Sequence, residues 1–335
     1  MATIKDVAKM AGVSVTTVSI VLNGKAEERK ISPATQERIQ EVMRELGYQP
    51  NLTARRLRSQ DSKKPVIAFF WPLDYRTSIL ASFLNALQLE IRRQDFDCEL
   101  VIQTYENDKL NEYDSIIVKN GYSGIIVGAC SRKDLEYLEK LSPQMPLVLI
   151  NRNSEHFSTV CTDTDAIGFL AATQIRQKGY TEAAVFASSH TYMATGLRTQ
   201  AFLNACAQLG ITILPEHLLK APSTLNGGFE LGNAYCQLKN APHVIFCDTD
   251  SLAIGALSAF SQNKRSVPDD VEILTIAMLD PENTKYSVPP LSVIEMPNME
   301  IGRSIIQILK EKISTNDLEP SHVKLDAALI LRSSF

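Results

Sequence analysis

The first 24 residues of the chain, MATIKDVAKMAGVSVTTVSIVLNG, have the pattern of two short helices joined by a tight turn. Apolar residues recur at helical spacing on both sides of Gly12, a residue that readily adopts the positive φ of a sharp turn. Thr3 and Ser14 stand where a hydroxyl would cap the two helices. This pair of helices is too small to hold a core by itself, and its best-known use is to place one helix in the major groove of DNA.

The outward face of the second predicted helix is unusual for a helix that only meets solvent. It carries small polar and β-branched side chains, whereas a solvated face normally carries Lys and Glu. Such side chains suit base edges and phosphates. The outward positions are Val15, Thr16, Ser19 and Ile20. The spacing alone leaves open an ordinary helical hairpin on a larger domain, because loose helix-turn-helix matches are common.

A third helix and a basic arm follow. Ser32 and Pro33 form a helix start, apolar residues recur at helical spacing after them, and Gly47 ends the pattern. The arm, residues 52–59, carries three arginines. A helix this short is marginal in water, so a plain basic linker is the alternative interpretation for the free protein.

These segments resemble the lactose repressor/galactose repressor (LacI/GalR) family of bacterial transcription regulators. The matches occur at the family's own spacing and are densest up to Leu57. They comprise Thr3-Ile4-Lys5-Asp6-Val7-Ala8, Ala11-Gly12-Val13-Ser14, Thr17-Val18-Ser19, Val21-Leu22-Asn23-Gly24, Leu46-Gly47-Tyr48, Pro50-Asn51 and Ala54-Arg55. The resemblance implies sequence-specific binding to pseudo-palindromic double-stranded DNA.

The resemblance also implies a role for the arm, which in this family forms a hinge helix when two copies meet on DNA. Leu57 matches the leucine that is inserted into the minor groove, and Arg55 is placed to neutralise phosphate. Ile20 departs from the family's frequent arginine or histidine, and it can touch a thymine methyl but cannot read guanine by hydrogen bonds. The implied DNA contacts are Thr3, Ser14, Val15, Thr16, Ser19, Ile20, Asn23, Ser32, Asn51, Ala54, Arg55 and Leu57.

The charge distribution supports a nucleic-acid unit at the N-terminal end. Residues 1–64 contain 12 Lys and Arg against 7 Asp and Glu, whereas the whole chain contains 34 against 38. A basic end on an acidic chain is typical of one DNA-binding unit attached to a body that does not bind nucleic acid.

The remaining motifs point away from catalysis and metal binding. The six cysteines show no CxxC spacing and lie largely in apolar segments, and the five histidines form no metal-spaced pair. The sequence shows no phosphate-cradling glycine loop, nucleophile elbow, signal peptide or apolar run of membrane-spanning length. We therefore expect a cytoplasmic protein that is not an enzyme and uses no metal, cofactor or membrane.

From residue 66 onward, short apolar runs alternate with amphipathic stretches, which is typical of buried parallel strands joined by helices. About 270 residues suit two doubly wound α/β lobes. The resemblance implies the fold of periplasmic sugar-binding proteins, with crossings between lobes near Thr159, Ser292 and Glu319. The expected organisation is a helix-turn-helix domain at residues 1–48, a hinge helix and linker at 49–64, an N-terminal lobe from 65–158 and 292–318, and a C-terminal lobe from 159–291 and 319–335.

Ligands of such lobes lie at the carboxyl ends of the parallel strands, which predicts an effector site in the cleft between the lobes. Arg198 matches the family arginine that contacts the effector, and an exposed helix arginine is the alternative. Asp250 is expected to cap its helix, to face the ligand, or to do both. Asn151 and Arg152 match cleft positions and fit an ordinary polar turn equally well.

Three further positions bear on the effector. Trp71, the only Trp, ends the first predicted strand, where it could stack on a sugar ring or pack in the core. Asp74 could accept hydroxyl donors or lie in a solvated loop. The family's usual ligand aspartate is replaced by Leu279, and only its neighbour Asp280 is acidic.

Together these features indicate a transcription regulator that is controlled allosterically by a small molecule between its lobes. The resemblance implies a repressor of a carbohydrate-related operon with a sugar as effector. Because the chain ends soon after its last apparent strand, with no room for an extra oligomerisation helix, we expect a homodimer. The alternative is a solute-binding or carbohydrate-processing protein whose N-terminal helices do not bind DNA.

Overall fold

The computed structural model describes residues 4–22, 26, 29–46, 64–74, 76–118, 122–189 and 193–335. The contacts divide the chain into two units, Met1–Lys64 and Pro65–Phe335. Each unit has its own hydrophobic core, so each is described by itself.

The N-terminal unit is a helix-turn-helix followed by a third helix, as the sequence predicts. It contains α1 (Ile4–Met10), α2 (Val15–Leu22) and α3 (Pro33–Glu45). Apolar side chains from the three helices and the first turn form one buried cluster on the faces that the helical spacing predicts. Its members are Val7, Ala8, Ala11, Val18, Ile39 and Val42.

Hydroxyl caps and one glycine define the helix ends in this unit. Ser14 Oγ accepts a hydrogen bond from the amide of Thr17 at 3.0 Å, and Ser32 Oγ accepts one from the amide of Thr35 at 3.3 Å. Gly12 has a φ of +63° in the turn between α1 and α2, which a residue with a Cβ rarely adopts. Thr3, the expected cap of α1, lies outside the described residues.

The larger unit consists of two doubly wound lobes, which confirms the predicted fold class. The first lobe begins with β1 (Val66–Pro72), α4 (Thr77–Arg93), β2 (Glu99–Tyr105), a 3₁₀ turn (Leu110–Tyr113), α5 (Asp114–Val118), β3 (Gly124–Val127), α6 (Arg132–Leu138), β4 (Leu147–Ile150) and β5 (Ser158–Thr162). The second lobe contains α7 (Thr164–Gln177), β6 (Ala184–Ser188), α8 (Met193–Gln208), a 3₁₀ turn (Pro215–His217), β7 (Leu218–Ala221), α9 (Leu225–Cys236), β8 (Val244–Cys247), α10 (Asp250–Gln262), β9 (Glu272–Ala277), α11 (Pro281–Lys285) and β10 (Ser292–Glu295). The chain then adds α12 (Asn298–Thr315) and β11 (His322–Leu325) to the first lobe and β12 (Ala328–Ile330) to the second.

Each lobe is built on a six-stranded sheet. The first sheet has the order β11-β5-β4-β3-β1-β2 and is parallel throughout. The second has the order β12-β10-β9-β8-β6-β7 and is parallel except for β12, which runs antiparallel to β10. The central strands are buried, as their continuous apolar runs predict. In each lobe the carboxyl ends of the parallel strands therefore meet at one edge of the sheet.

The three crossings between the lobes lie a few residues later than the sequence predicts. Residues 158–162 form β5 in the first sheet, so the chain crosses after Thr162 rather than near Thr159. Residues 292–295 pair with β9, so the return follows Glu295 rather than beginning near Ser292. The last crossing lies between β11 and β12, because His322 pairs with Thr159 beyond the predicted crossing at Glu319. In each case the ladder hydrogen bonds with a neighbouring strand keep the segment in its sheet.

Helices α9 and α10 pack with their backbones in close contact. A Cβ placed on Gly255 would lie 2.0 Å from the carbonyl oxygen of Leu225, and one on Gly228 would lie 2.2 Å from the carbonyl oxygen of Leu252. Only glycine fits at such distances, because real side-chain carbons do not approach a backbone oxygen so closely.

We predict that Gly255→Ala lowers the free energy of unfolding of the larger unit by about 2 kcal/mol or more, because α9 and α10 must separate to admit the methyl group. Chemical denaturation followed by circular dichroism measures the loss. Ser258→Ala, on the exposed side of the same helix, is the control and should change the stability little. Equal stability of the two variants would contradict the close packing.

Candidate DNA-binding helix and ligand-binding cleft

Helix α2 divides its residues between the core and an accessible face. Val18 is fully buried, whereas Val15 is 39% exposed and Thr16 is exposed beside it. Ser19 and Ile20 are half-buried on the next turn. The predicted readers therefore form one face near the start of the helix, which is where a recognition helix contacts base edges.

The other predicted DNA contacts fall into two groups. Ser14 and Ser32 use their oxygens as helix caps, so each lies at the amino end of a helix, a position that also suits a phosphate contact. Six predicted contacts lie outside the described residues, namely Thr3, Asn23, Asn51, Ala54, Arg55 and Leu57.

Arg198 lies in α8 at the carboxyl edge of the second sheet and is only 2% exposed. Its Nη1 donates to the Met278 sulfur at 2.8 Å, and no carboxylate of the described residues forms an ion pair with it. Burial lowers the pKa of Arg198 to about 10, partly offset by the attraction of Asp248. A buried guanidinium whose polar partner is a thioether is poorly satisfied, because it carries several N–H donors and a thioether sulfur is a weak acceptor.

The two lobes face each other at this point. Arg152 of the first lobe is close enough for its charge to lower the pKa of Arg198 in the second lobe. Asn298 connects the lobes, because its side-chain amide donates to Ser82 Oγ at 3.0 Å and to the Met278 carbonyl at 3.5 Å. The carboxyl ends of the two sheets therefore approach each other here, where the sequence predicts the ligand cleft.

Asp250 and Asp280 are engaged with the backbone of their own lobe. Asp250 is 1% exposed, and its Oδ2 accepts hydrogen bonds from the amides of Met278 at 3.0 Å and Leu279 at 2.9 Å. Burial raises the pKa of Asp250 to about 6 although these donors oppose the shift. Asp280 is exposed and caps α11 by accepting from the amide of Glu282 at 2.9 Å. Asp250 is the first residue of α10 and not its cap, because the N-cap is Thr249, which makes no side-chain cap hydrogen bond. The predicted cap role of Asp250 is therefore wrong, and both side chains shape the loop after β9.

Trp71 and Asp74 take structural positions in the first lobe. Trp71 is 2% exposed and packs against Phe69 and Phe83 with ring centroids 5.6 Å and 5.8 Å away. Asp74 forms an ion pair with Arg76 at 2.5 Å, and Arg76 also donates to the carbonyl of Ala129 at 2.8 Å. Asp74 therefore holds a buried arginine that connects the loops after β1 and β3.

Asn151 and Arg152 follow β4 and are also bound internally. Asn151 has a φ of +51°, and its Oδ1 accepts from the amide of Thr162 at 3.0 Å. Arg152 is 4% exposed, and its guanidinium donates to the carbonyls of Cys130 at 2.8 Å and Asn151 at 2.7 Å. These contacts fit the interpretation of an ordered polar turn, with the Arg152 charge left close to the cleft.

Buried polar atoms without a hydrogen-bond partner collect where strands end. Among the described residues they include Trp71 Nε1, Tyr105 Oη, Ser223 Oγ, Asp248 Oδ1 and Thr249 Oγ1, which end or follow β1, β2, β7 and β8. Buried polar atoms are normally hydrogen-bonded. Trp71 and Tyr105 belong to the hydrophobic core, and Asn107, Glu139, Thr173, His217 and Glu272 also carry such atoms, so only Asp248 and Thr249, beside the helix of Arg198, bear on the candidate site. The sequence singles out Asp250 but not Asp248 or Thr249, and their place directly after a buried strand is the signal that could have found them.

Other kinds of site find little support in the described part of the chain. It contains no group of three or more His, Cys, Asp or Glu side chains that could hold a metal ion. The six cysteines are free thiols. No helix in the described ranges is both long and apolar enough to cross a membrane.

A helix-turn-helix unit joined to a two-lobed α/β core with a polar cleft defines the class of the protein, a DNA-binding transcription regulator with a periplasmic-binding-protein-like core. Residues 3–51 match the family described as bacterial regulatory proteins, lacI family, and residues 172–335 match the periplasmic binding protein-like domain. A LacI family transcription regulator from Clostridium acetobutylicum is 32% identical, with a TM-score of 0.77 over 80% of this chain and 100% of that one. The chain belongs to the LacI family.

Other similar proteins match this chain over nearly its whole length. The HTH-type transcriptional repressor PurR of Mannheimia succiniciproducens is 27% identical over 100% of this chain and 98% of its own length. PurR of Haemophilus influenzae strain Rd is 28% identical over the same shares. The lac repressor dimer bound to operator and the anti-inducer ONPF shares the fold, with 19% identity and a TM-score of 0.71 over 99% of this chain and 98% of that one.

We predict that Asp74→Asn lowers the stability of the larger unit by about 2 kcal/mol or more even without a ligand, because it leaves the buried Arg76 charge without its carboxylate. Urea denaturation of the ligand-free protein measures the loss. Glu136→Gln, an exposed acid on α6, is the matched control and should change little. If Asp74→Asn leaves the stability unchanged, the structural role of Asp74 is contradicted and a hydrogen bond to a ligand becomes the better interpretation.

Proposed function

We propose that this LacI-family regulator is a homodimeric repressor that binds a pseudo-palindromic operator and is released or retained by a small molecule, a sugar, bound between its lobes. The observation that carries the ligand-binding part is the buried Arg198 guanidinium, whose only polar partner among the described residues is the Met278 sulfur. A buried forked donor suits hydroxyl or carboxylate oxygens of a ligand.

Two solved relatives support the partners in this proposal. The lac repressor is a dimer bound to operator, and the regulator CelR forms a complex with cellobiose. CelR is 21% identical, with a TM-score of 0.70 over 100% of both chains, so the likeness establishes the fold and the sugar belongs to the proposal. A protein that acts on operator DNA works in the cytoplasm, and we assign it no catalytic step.

The proposed DNA contacts combine the described face of α2 with the arm. Val15, Thr16 and Ile20 read the major groove, and Leu57 is inserted into the minor groove between two copies. The apolar Ile20 favours a thymine methyl over a guanine at its position.

Regulation follows if the ligand binds one arrangement of the lobes more tightly than the other. A ligand with equal affinity for both arrangements does not shift the equilibrium between them, however tightly it binds. Arg198 and Arg152 come from different lobes and lie within electrostatic range of each other. The affinity of a ligand that contacts both arginines therefore depends on the distance between the lobes.

DNase footprinting on the protein's own upstream region tests the function. We expect a protected palindrome at moderate salt, and the double variant Val15→Ala/Thr16→Ala should weaken the specific binding about 10-fold or more, since it removes contacts with base edges. Gln40→Ala, exposed on α3, is the control. Absence of any protected palindrome for the unaltered protein would reject the proposal.

We predict that Arg198→Ala abolishes the ligand response while operator binding survives, because the guanidinium lies in the core and not in the DNA-binding unit. A thermal-shift screen of sugars and nucleosides identifies a ligand, which stabilises the lobes by mass action. Its effect on operator binding is then compared in the unaltered protein, Arg198→Ala and the exposed control Arg265→Ala. A response that Arg198→Ala leaves intact would remove Arg198 from the site.

A further inference from the structure

The carboxylate of Asp248 is held by one oxygen and presents the other without a partner. Asp248 follows β8 directly and is 0% exposed. Its Oδ2 accepts hydrogen bonds from the amide of Ser188 at 2.8 Å and from Thr199 Oγ1 at 3.1 Å. Its Oδ1 is buried and has no hydrogen-bond partner in the described chain. The side chain is therefore fixed in orientation while half of its accepting capacity is unused.

Arg198 lies next to this carboxylate but does not satisfy it. Thr199, the neighbour of Arg198 in α8, donates to Asp248, and the Arg198 charge lowers the pKa of Asp248 through space. The two groups form no ion pair within the described ranges, and the Arg198 guanidinium donates to the Met278 sulfur instead. A strong donor and a strong acceptor thus lie within electrostatic range of each other, and each is incompletely bonded.

A ligand hydroxyl has the chemistry that completes both groups. It accepts a hydrogen bond from the guanidinium and donates its own proton to Asp248 Oδ1. The hydroxyl of Thr249, the next residue in the chain, also lacks a partner among the described residues and adds no charge. A phosphate or carboxylate of a ligand would satisfy Arg198 but would place a second negative charge near the buried carboxylate of Asp248.

We propose that Asp248 makes the effector site selective for neutral ligands. Its carboxylate accepts a hydrogen bond from a hydroxyl of a neutral ligand and repels the anionic counterpart of that ligand. This role rests on the proposed function of the cleft as an effector site. The competing interpretation is a structural acid that serves only to hold Ser188 and Thr199.

The first test needs no ligand and compares Asp248→Asn with the unaltered protein at pH 7.5. Asparagine keeps an oxygen for Ser188 and Thr199 and removes an incompletely bonded buried charge, so we expect Tm to rise by about 2–5 °C. A structural acid predicts the opposite, because its loss weakens charge-assisted hydrogen bonds. A fall in Tm would therefore overturn the proposal. Asp270→Asn, an exposed acid that accepts from the Ser266 amide at 2.7 Å, is the control and should not raise Tm.

The pH dependence of this difference provides a second readout. Burial raises the pKa of Asp248 to about 6, and the titratable groups whose charges act on it are Arg198 and Cys247. A raised folded pKa means that the ionised carboxyl destabilises the fold above the ordinary Asp range and that the effect is complete above pH 6. The Tm advantage of Asp248→Asn should be absent near pH 4 and full at pH 7.5. An advantage that does not change with pH would contradict an unsatisfied carboxylate.

Matched probes test the charge preference itself. Thermal shifts are recorded with glucose, glucuronate and glucose 6-phosphate, with ribose and ribose 5-phosphate, and with adenosine and AMP. We expect stabilisation only by neutral members, and the affinity for a neutral member that binds should fall about 10-fold or more in Asp248→Asn. An anionic member that stabilises the unaltered protein more than its neutral parent would overturn the proposal, and the sugar-acid and phosphate arms show which anion is accepted.

Operator footprinting separates this inference from the proposed function. Ligand-free Asp248→Asn should protect the same DNA as the unaltered protein, because Asp248 lies in the core unit. If the unaltered protein protects no DNA, the proposed function fails whatever Asp248 does. If it protects DNA and Asp248→Asn binds the neutral probe with unchanged affinity, only the role of Asp248 fails.

Discussion

Burying the Arg198 guanidinium without a carboxylate partner is the constraint around which the second lobe is arranged. A buried charge without an ion-pair partner is unfavourable, and the surroundings of Arg198 limit that penalty without removing it. Met278 supplies a polarisable sulfur, Asp250 fixes the loop that carries this sulfur, and Asp248 contributes an attractive charge at a distance. The lobe can therefore fold while the Arg198 guanidinium and Asp248 Oδ1 retain hydrogen-bonding capacity that a ligand could use.

Features that depend on neighbouring residues could be predicted from the sequence. The inward positions of Val18 and Ile39, the caps at Ser14 and Ser32 and the turn at Gly12 all follow from local spacing, and the structure confirms each of them. The crossings between lobes could not be placed as well. Whether residues 158–162 end one lobe or begin the next depends on tertiary pairing with β4 and with β11, and β11 lies more than 150 residues away; the local pattern does not show either pairing.

The candidate site shows the same limit at the level of single side chains. The sequence locates the strands that Asn151, Arg152 and Asp250 follow and the helix that carries Arg198. It cannot tell which side chains are engaged by their own backbone. Asn151, Asp250 and Asp280 accept from nearby amides, whereas Asp248, two residues before Asp250, keeps an oxygen unused. That distinction arises from tertiary contacts at 3 Å and leaves no trace in residue spacing.

The three connections between the lobes have a mechanical consequence. The chain passes from one sheet to the other after Thr162, after Glu295 and between Leu325 and Ala328, so three covalent strands tie the lobes along one side. Such a linkage resists sliding and separation but permits rotation about the line through the three connections. A ligand in the cleft would then change mainly one quantity, the angle between the two lobes. Residues that do not contact the ligand can respond to that angle.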